Sequence, residues 1–130
     1  MSTHADTFRR LHAGPDLLIL PNGWDAGSCR VIETLGAKAV ATSSAAVCWS
    51  HGYADGHHLP VDFLITTVRE ITRAISIPLT CDFEGGYADD PATVGDNVAK
   101  VIDAGAVGIN IEDGGGAPDL LAAKIDAVRK

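Results

Sequence analysis

The segment IPLTCDFEGG (residues 77–86) is a short apolar run that ends in two carboxylates and two glycines. Three further apolar runs also end in polar or acidic residues: 17–20 before Pro21-Asn22-Gly23-Trp24-Asp25, 39–42 before Ser43-Ser44, and 107–111 before Glu112-Asp113. If each run is a strand of a parallel sheet, all four endings lie at one edge, where α/β proteins place their chemistry. Carboxylates brought to one edge repel one another, and a bound divalent cation is the simplest way to offset that charge.

The composition is that of one globular domain. The chain has 130 residues, of which 46% are hydrophobic and 21% charged, and this length and balance suit a single folded unit. It carries 17 acidic and 10 basic residues, for a formal charge of −7, and no cluster of Lys and Arg. We therefore expect neither a nucleic acid nor an anionic membrane surface as a partner.

The same sequence predicts a cytoplasmic location. No apolar run approaches the roughly 18 residues that a membrane span requires, and the polar stretch 1–15 lacks the apolar core of a secretory signal. Cys29, Cys48 and Cys81 are widely spaced, which fits neither a disulfide framework nor a zinc site. Reduced thiols are the corresponding expectation.

Hydrophobic periodicity predicts an α/β fold built from a short N-terminal helix and four βα units. Ser2 or Thr3 caps the first helix, which runs to about Leu11. The strands are predicted at 17–20, 39–42, 77–81 and 107–111, and the later helices at 26–35, 60–74, 91–104 and 119–129. Residues 43–59, with two glycines and several histidines, are predicted to be a loop with at most one helical turn.

Four βα units are half of a (βα)₈ barrel of the TIM type, which typically takes about 250 residues. We therefore predict that residues 1–130 form a single domain equivalent to the N-terminal half of such a barrel. A half-barrel leaves two sheet edges unpaired, which favours association. The chain is then a homo-oligomer, a fragment of a longer barrel, or an open four-stranded sheet, and a homo-oligomer is the expectation we carry forward.

Asp82 and Glu84 are the sharpest local feature, because residues i and i+2 of an extended segment point to the same side. Gly85 and the glycine after it permit a tight turn and the close approach of a ligand. A solvated acidic turn explains the same residues equally well. Glu112 follows the neighbouring strand at the matching level, and an all-oxygen set of ligands favours Mg²⁺ or Mn²⁺ over zinc.

Two further segments could carry polar chemistry. Ser43, Ser44 and Ala45 follow the second strand, where hydroxyl and backbone N–H groups can hold a carboxylate or phosphate-like group; an ordinary serine cap is the alternative. Asp55 precedes a glycine, a pattern that by itself is typical of a turn. The histidines around it lack the spacing of a helical metal-binding pair, and no cysteine is predicted to be a nucleophile.

Taken together, five stretches resemble the phosphoenolpyruvate mutase / isocitrate lyase superfamily. They are PNGWDAGS (21–28), ATSS (41–44), GYADG (52–56), DFEGGY (82–87) and AGAVGINIED (104–113), in the order and at the spacing of that superfamily. The Lys-Lys-Cys-Gly-His loop of the lyases is replaced here by Gly114–Pro118, GGGAP. The resemblance is therefore to a branch without that loop. Residues 82–84 are Asp-x-Glu where many members have Asp-x-Asp, which points to a branch similar to oxaloacetate decarboxylases and phosphonopyruvate-acting enzymes.

The resemblance implies a Mg²⁺-dependent enzyme that makes or cleaves a C–C or P–C bond of a small 2-oxo acid through a pyruvate enolate, with Mn²⁺ as the alternative ion. It implies that Asp82 binds the metal directly, and that Asp55, Glu84 and Glu112 hold metal-bound waters and serve catalysis. The implied substrate-binding residues are Trp24, Asp25, Ser43, Ser44 and Ala45. The alternative is a non-catalytic half-barrel that binds a ligand or assembles with a partner.

Overall fold

A computed structural model describes residues 3–130, which alternate between helices and short strands. The helices in this range are α1 (His4–Ala13), α2 (Ala26–Thr34), α3 (Ser44–Ser50), α4 (Val61–Ala74), α5 (Pro91–Asp103) and α6 (Pro118–Val128). The strands are β1 (Asn22–Gly23), β2 (Val40–Thr42), β3 (Leu79–Asp82) and β4 (Gly108–Asn110). None of these helices is long and apolar enough to cross a membrane.

The four strands form one parallel sheet in the order β1-β2-β3-β4. Ala41 pairs with Thr80, and Asp82 pairs with Asn110, so the carboxyl ends of β2, β3 and β4 lie at a common level. Sequential parallel strands joined through helices are the arrangement of a (βα)₈ barrel. The predicted α/β class with barrel-type βα units is confirmed.

The core lies between the sheet and the helices that cover it. Val40, Leu79 and Cys81 of the strands are fully or almost fully buried, together with Leu64 and Val68 of α4. In the same layers, α2 packs against α4 and α5 packs against α6. The apolar periodicity of α4 and α5 includes Phe63 and Ile102 and so predicts that they face inward, but these two side chains are 44% and 58% exposed, at the margin of their helix's apolar face.

The helix boundaries follow local capping chemistry. Thr3 caps α1, accepting the backbone N–H of Asp6, whose side chain in turn accepts the N–H of Thr3. Ser2, the alternative predicted cap, lies outside the described residues. Asp90 caps α5 by accepting the N–H of Thr93, and Pro91 occupies the first turn as predicted. The Thr93 hydrogen bonds hold the pKa of Asp90 below its usual value.

The first strand was predicted at the wrong place. Instead of 17–20, the paired residues are Asn22 and Gly23, and Leu17 and Ile19 are 89% and 72% exposed. The register pairs Asn22 with Ala41, and β2 begins only at Val40. Residues 17–20 therefore precede the part of the chain that lies opposite β2, and they have no strand to pair with.

The segment after β2 is more helical than predicted. Residues 44–50 form α3, and only 51–60 are irregular. Ser43 caps this helix by accepting the backbone N–H of Ala46 at 3.4 Å. Val47 and Cys48 are buried on its inner face, so tertiary packing stabilises a helix that is too short to show a clear period in the sequence.

Candidate functional site

Asp82 is the last residue of β3, and it links three elements through its carboxylate. Oδ2 accepts the backbone N–H of Ser44 at 3.0 Å, and Oδ1 accepts the Nδ2 amide of Asn110 at 3.0 Å. The backbone N–H of Asp82 donates to Oγ1 of Thr42 at 2.8 Å. The ends of β2, β3 and β4 and the start of α3 thus meet at one half-buried residue.

Glu84 lies two residues further on, but its carboxylate has different partners. Its Oε1 accepts the phenol O–H of Tyr87 at 2.7 Å, and its Oε2 accepts the backbone N–H of His57 at 2.5 Å. Glu84 is only 3% exposed and has a positive φ of 48°. The backbone therefore leaves the extended conformation here, and Phe83, fully buried, separates the two acidic side chains.

Cys48 and Asp55 meet Glu84 at the edge of the site. The Cys48 sulfur and one carboxylate oxygen from each acidic residue lie within 4.8 Å of one another, a grouping that could hold a metal ion. Cys48 Sγ lies 3.7 Å from Glu84 Oε1. Burial, with the nearby charges of Glu84 and Asp55, raises the pKa of the Cys48 thiol to about 11. Two like charges so close are the setting that a divalent cation relieves.

Glu112 joins this edge through its backbone. Its N–H donates to the carbonyl oxygen of Glu84 at 2.9 Å, and its side chain is exposed. Asp113, next along the chain, is exposed and accepts the N–H of Gly116 in a tight turn at 2.7 Å. The acidic residues after β3 and β4 therefore lie side by side, with the Glu112 carboxylate on the solvent side.

The predicted carboxylate-binding turn contains a carboxylate of the chain itself. Ser43 caps α3, and the N–H of Ser44 is occupied by Asp82. Ala45 follows within the first turn, half-buried at the same sheet edge. Asp82 is therefore the carboxylate that the start of α3 holds, and the binding of a ligand's carboxylate by Ser43, Ser44 and Ala45 stays a prediction.

Trp24 and Asp25 follow β1 and begin α2. The Asp25 carboxylate accepts the backbone N–H of Ser28 at 2.7 Å, and the Ser28 hydroxyl accepts the N–H of Asp25 at 3.1 Å. This is a reciprocal capping box. Trp24 is 44% exposed. Asp25 is therefore the cap of α2, and Trp24 presents part of its indole to solvent next to the strand ends.

Sequence reasoning missed three contributors to the site. Ser44 and Cys48 are four residues apart and so lie on the same face of α3. A correct prediction of α3 would have placed Cys48 at the site. His57 accepts the N–H of Gly85 on Nε2 at 2.8 Å. Lys124, 6% exposed, donates to the carbonyl oxygen of the same glycine at 2.8 Å. The sequence could have indicated this contact, because Lys124 follows Leu121 by three residues and so lies on the apolar face of α6.

Comparisons with known proteins agree on one family. The phosphoenolpyruvate phosphomutase family model matches residues 8–130. An uncharacterized protein of Mycobacterium tuberculosis (strain H37Rv) is 36% identical over 133 residues, which cover 95% of this chain and 48% of that protein. The chain thus spans about half the length of this relative.

Solved structures give the same result. A candidate phosphonomutase from Burkholderia cenocepacia J2315 superposes with a TM-score of 0.91 at 39% identity, over 97% of this chain and 54% of that chain. A 2,3-dimethylmalate lyase of the PEP mutase/isocitrate lyase superfamily superposes with a TM-score of 0.83 at 25% identity, over 98% of this chain and 49% of the lyase. The chain belongs to the phosphoenolpyruvate phosphomutase family, within the PEP mutase/isocitrate lyase superfamily.

Proposed function

We propose that this chain carries the metal-binding half of a lyase or mutase site that makes or cleaves a C–C or P–C bond of a small 2-oxo acid. The observation that carries the proposal is the convergence of acidic residues on the end of β3. Asp82 binds the first residue of α3 and the last residue of β4. Two residues along the chain, Glu84 brings a carboxylate oxygen within 4.8 Å of Asp55 and of the Cys48 sulfur. Family membership supports the reaction class.

Carboxylate oxygens suit a hard divalent cation, and the raised pKa of Cys48 keeps its thiol protonated and outside the ligand set. We propose Mg²⁺, with Mn²⁺ able to replace it. Asp82 is the proposed direct ligand, and Asp55, Glu84 and Glu112 are the proposed partners of metal-bound waters. Mg²⁺ usually keeps several waters and takes one or two carboxylates directly. When bound, the ion supplies a Lewis acid for negative charge that develops on the oxygen of the substrate.

The chain's own residues orient this site. The hydrogen bonds from Ser44 and Asn110 fix the Asp82 carboxylate before any ion arrives, which reduces the cost of assembling the site. We propose that the substrate carboxylate lies near Ser43, Ser44 and Ala45, and that Trp24 and Asp25 border the pocket. Oxaloacetate and phosphonopyruvate are the substrates that we favour, since a structure described as a candidate phosphonomutase is similar over 97% of this chain.

Calorimetric binding of oxalate tests this function, because oxalate is a planar, chelating mimic of the pyruvate enolate. We expect binding with Mg²⁺, none with EDTA, and a loss of about tenfold or more in Asp82→Ala, since loss of a metal ligand removes a charged interaction. Asp96→Ala, at an exposed position on α5, is the matched control and should bind like the wild type. Oxalate binding that is unchanged by EDTA, or absent with Mg²⁺, would contradict the proposal.

A second candidate function is a non-catalytic half-barrel that assembles with a partner. The observation that favours it is an apolar depression of about 710 Å³ beside β1, lined by Leu17, Ile19 and Leu35 among others. These three side chains are 89%, 72% and 82% exposed. This candidate predicts homo-oligomers and no turnover at any concentration of chain, whereas the enzyme predicts turnover that EDTA abolishes.

The proposed setting is the cytoplasm, with a small acid as ligand rather than a nucleic acid or membrane. The three cysteines are free and buried, as suits a reducing compartment. The net charge of −7 disfavours binding to polyanions.

A further inference from the structure

An unusual backbone conformation is concentrated beside the proposed site. Within residues 3–130, the non-glycine residues with a positive φ are His57, Glu84 and Tyr87, at 66°, 48° and 59°. All three meet in one cluster, because Glu84 accepts hydrogen bonds from the other two. Such conformations persist only where the surrounding contacts determine them.

Gly85 is at the centre of that cluster. Its N–H donates to Nε2 of His57 at 2.8 Å, and its carbonyl oxygen accepts Nζ of the buried Lys124 at 2.8 Å. A Cβ at position 85 would lie 2.8 Å from Cε1 of His57. The imidazole therefore packs directly on the glycine, in a place that no other residue type leaves open.

The ring of His57 acts here as a hydrogen-bond acceptor. Because Nε2 accepts the Gly85 N–H, the neutral ring carries its proton on Nδ1. His57 Nε2 lies 3.8 Å from Glu84 Oε2, but the two atoms do not form an ion pair, because Nε2 carries no proton in this arrangement. The backbone N–H of His57 makes the contact to Glu84 instead. One residue thus binds the turn after β3 twice, once through its backbone and once through its side chain.

We propose that His57 is a positioning residue that fastens the irregular segment 51–58 to the turn after β3, and thereby holds Asp55 beside Glu84. Asp55 lies two residues before His57, in a segment with glycines at positive φ on both sides, Gly52 and Gly56. Without the His57 contacts, that segment loses its attachment to β3. Lys124 donates to the carbonyl oxygen on the other side of Gly85 and couples α6 to the same turn. The expected effect of His57 on metal binding rests on the proposed function, whereas its contact with Gly85 does not.

Three variants distinguish the role of the His57 Nε2 acceptor from that of its aromatic ring. His57→Phe keeps an aromatic ring without an acceptor, His57→Gln restores an acceptor oxygen, and His58→Phe changes the exposed neighbour as the matched control. Amide hydrogen exchange by NMR should show the amides of Gly85 and of residue 57, which are both hydrogen-bonded in the wild type, exchanging about tenfold faster in His57→Phe. His57→Gln and the control should keep the slow exchange.

Mn²⁺ titration by electron paramagnetic resonance gives the second measurement. We expect His57→Phe to weaken Mn²⁺ binding by about tenfold, with partial rescue in His57→Gln. The double variant His57→Phe/Asp55→Asn should bind no worse than Asp55→Asn alone, since both changes act through the same carboxylate.

Each outcome decides between the two proposals. Unchanged Gly85 exchange in His57→Phe, or additive losses in the double variant, would overturn the role of His57. A wild-type chain that binds no Mn²⁺ would count against the proposed function, and the exchange rates of the Gly85 and residue-57 amides would then decide the positioning role alone.

Discussion

Asp82 and Glu84 show how one extra methylene changes what a carboxylate does. Asp82 is short and stays at the end of β3, where Ser44 and Asn110 donate to it. Glu84 reaches back into the protein to Tyr87 and to the backbone of His57. Burial and the Glu84 hydrogen bond raise the pKa of the Tyr87 phenol, so Tyr87 stays the donor of this hydrogen bond.

The cysteine thiols provide a prediction at the residue scale. Burial raises the pKa of Cys29 and Cys48 to about 11 and that of Cys81 to about 12, and all three are fully buried. A thiol stays mostly protonated at any pH below its pKa. At pH 8, about one Cys48 thiol in a thousand is therefore ionised. We expect native protein to react with Ellman's reagent at pH 8 much more slowly than a free thiol.

Unfolding in urea is the internal control for that measurement, since it should release three reactive thiols per chain. A single fast thiol in the native protein would contradict the buried setting of Cys48 beside Glu84 and Asp55.

At the scale of elements, the strand ends position the site and the helix starts complete it. The Asp82 carboxylate lies at the start of α3, where it accepts the Ser44 N–H at the partially positive end of the helix. α6 contributes Lys124 from the layer behind the sheet. Helix α2 begins with the capping box of Asp25 and Ser28. Residues that a linear pattern assigns to a ligand can therefore serve the helix that follows.

Substitutions of Asp25 test whether this residue caps α2 or binds the ligand. Replacing it by Ala removes the acceptor for the Ser28 N–H and should lower the free energy of unfolding by about 1 kcal/mol. Asp25→Asn retains a good cap and should lose much less. Urea denaturation measures both. An unchanged stability in Asp25→Ala, together with weaker oxalate binding, would show that Asp25 acts on the ligand rather than on α2.

At the scale of the whole molecule, the sheet has two open edges, and the β1 edge is apolar. Leu17, Ile19 and Leu35 expose most of their surface around the depression beside β1. Exposed apolar patches of this kind mark association surfaces. A second copy of a four-stranded parallel sheet would bring the strand number to that of a barrel, which is the form of homo-oligomer that we propose.

Sedimentation over a range of concentrations measures that association. We expect dimers or larger species at micromolar concentrations, and a dissociation constant raised at least about tenfold by Leu17→Lys/Ile19→Lys, because each change removes an apolar side chain from the contact. Ile102→Lys, at a 58% exposed position on α5, is the control and should associate like the wild type. A wild-type chain that stays monomeric throughout, or an equal effect of Ile102→Lys, would refute the role of the β1 edge.

The sequence by itself determined the α/β class, the succession of βα units and the family, because apolar runs, caps and strand-end motifs are local. β3 and β4 begin and end within one or two residues of their predicted bounds. The prediction of β1 was wrong because a strand exists only where a partner lies opposite it, and β2 begins at Val40.

Only the tertiary structure decided which polar groups meet. His57 is 28 residues from Gly85, and Lys124 is 39 residues from it. No local pattern encodes such contacts, since they depend on how the segment after α3 and helix α6 pack against the end of β3. Cys48 joined Glu84 and Asp55 for the same reason. Local chemistry determines the elements, and the packing of elements determines the site.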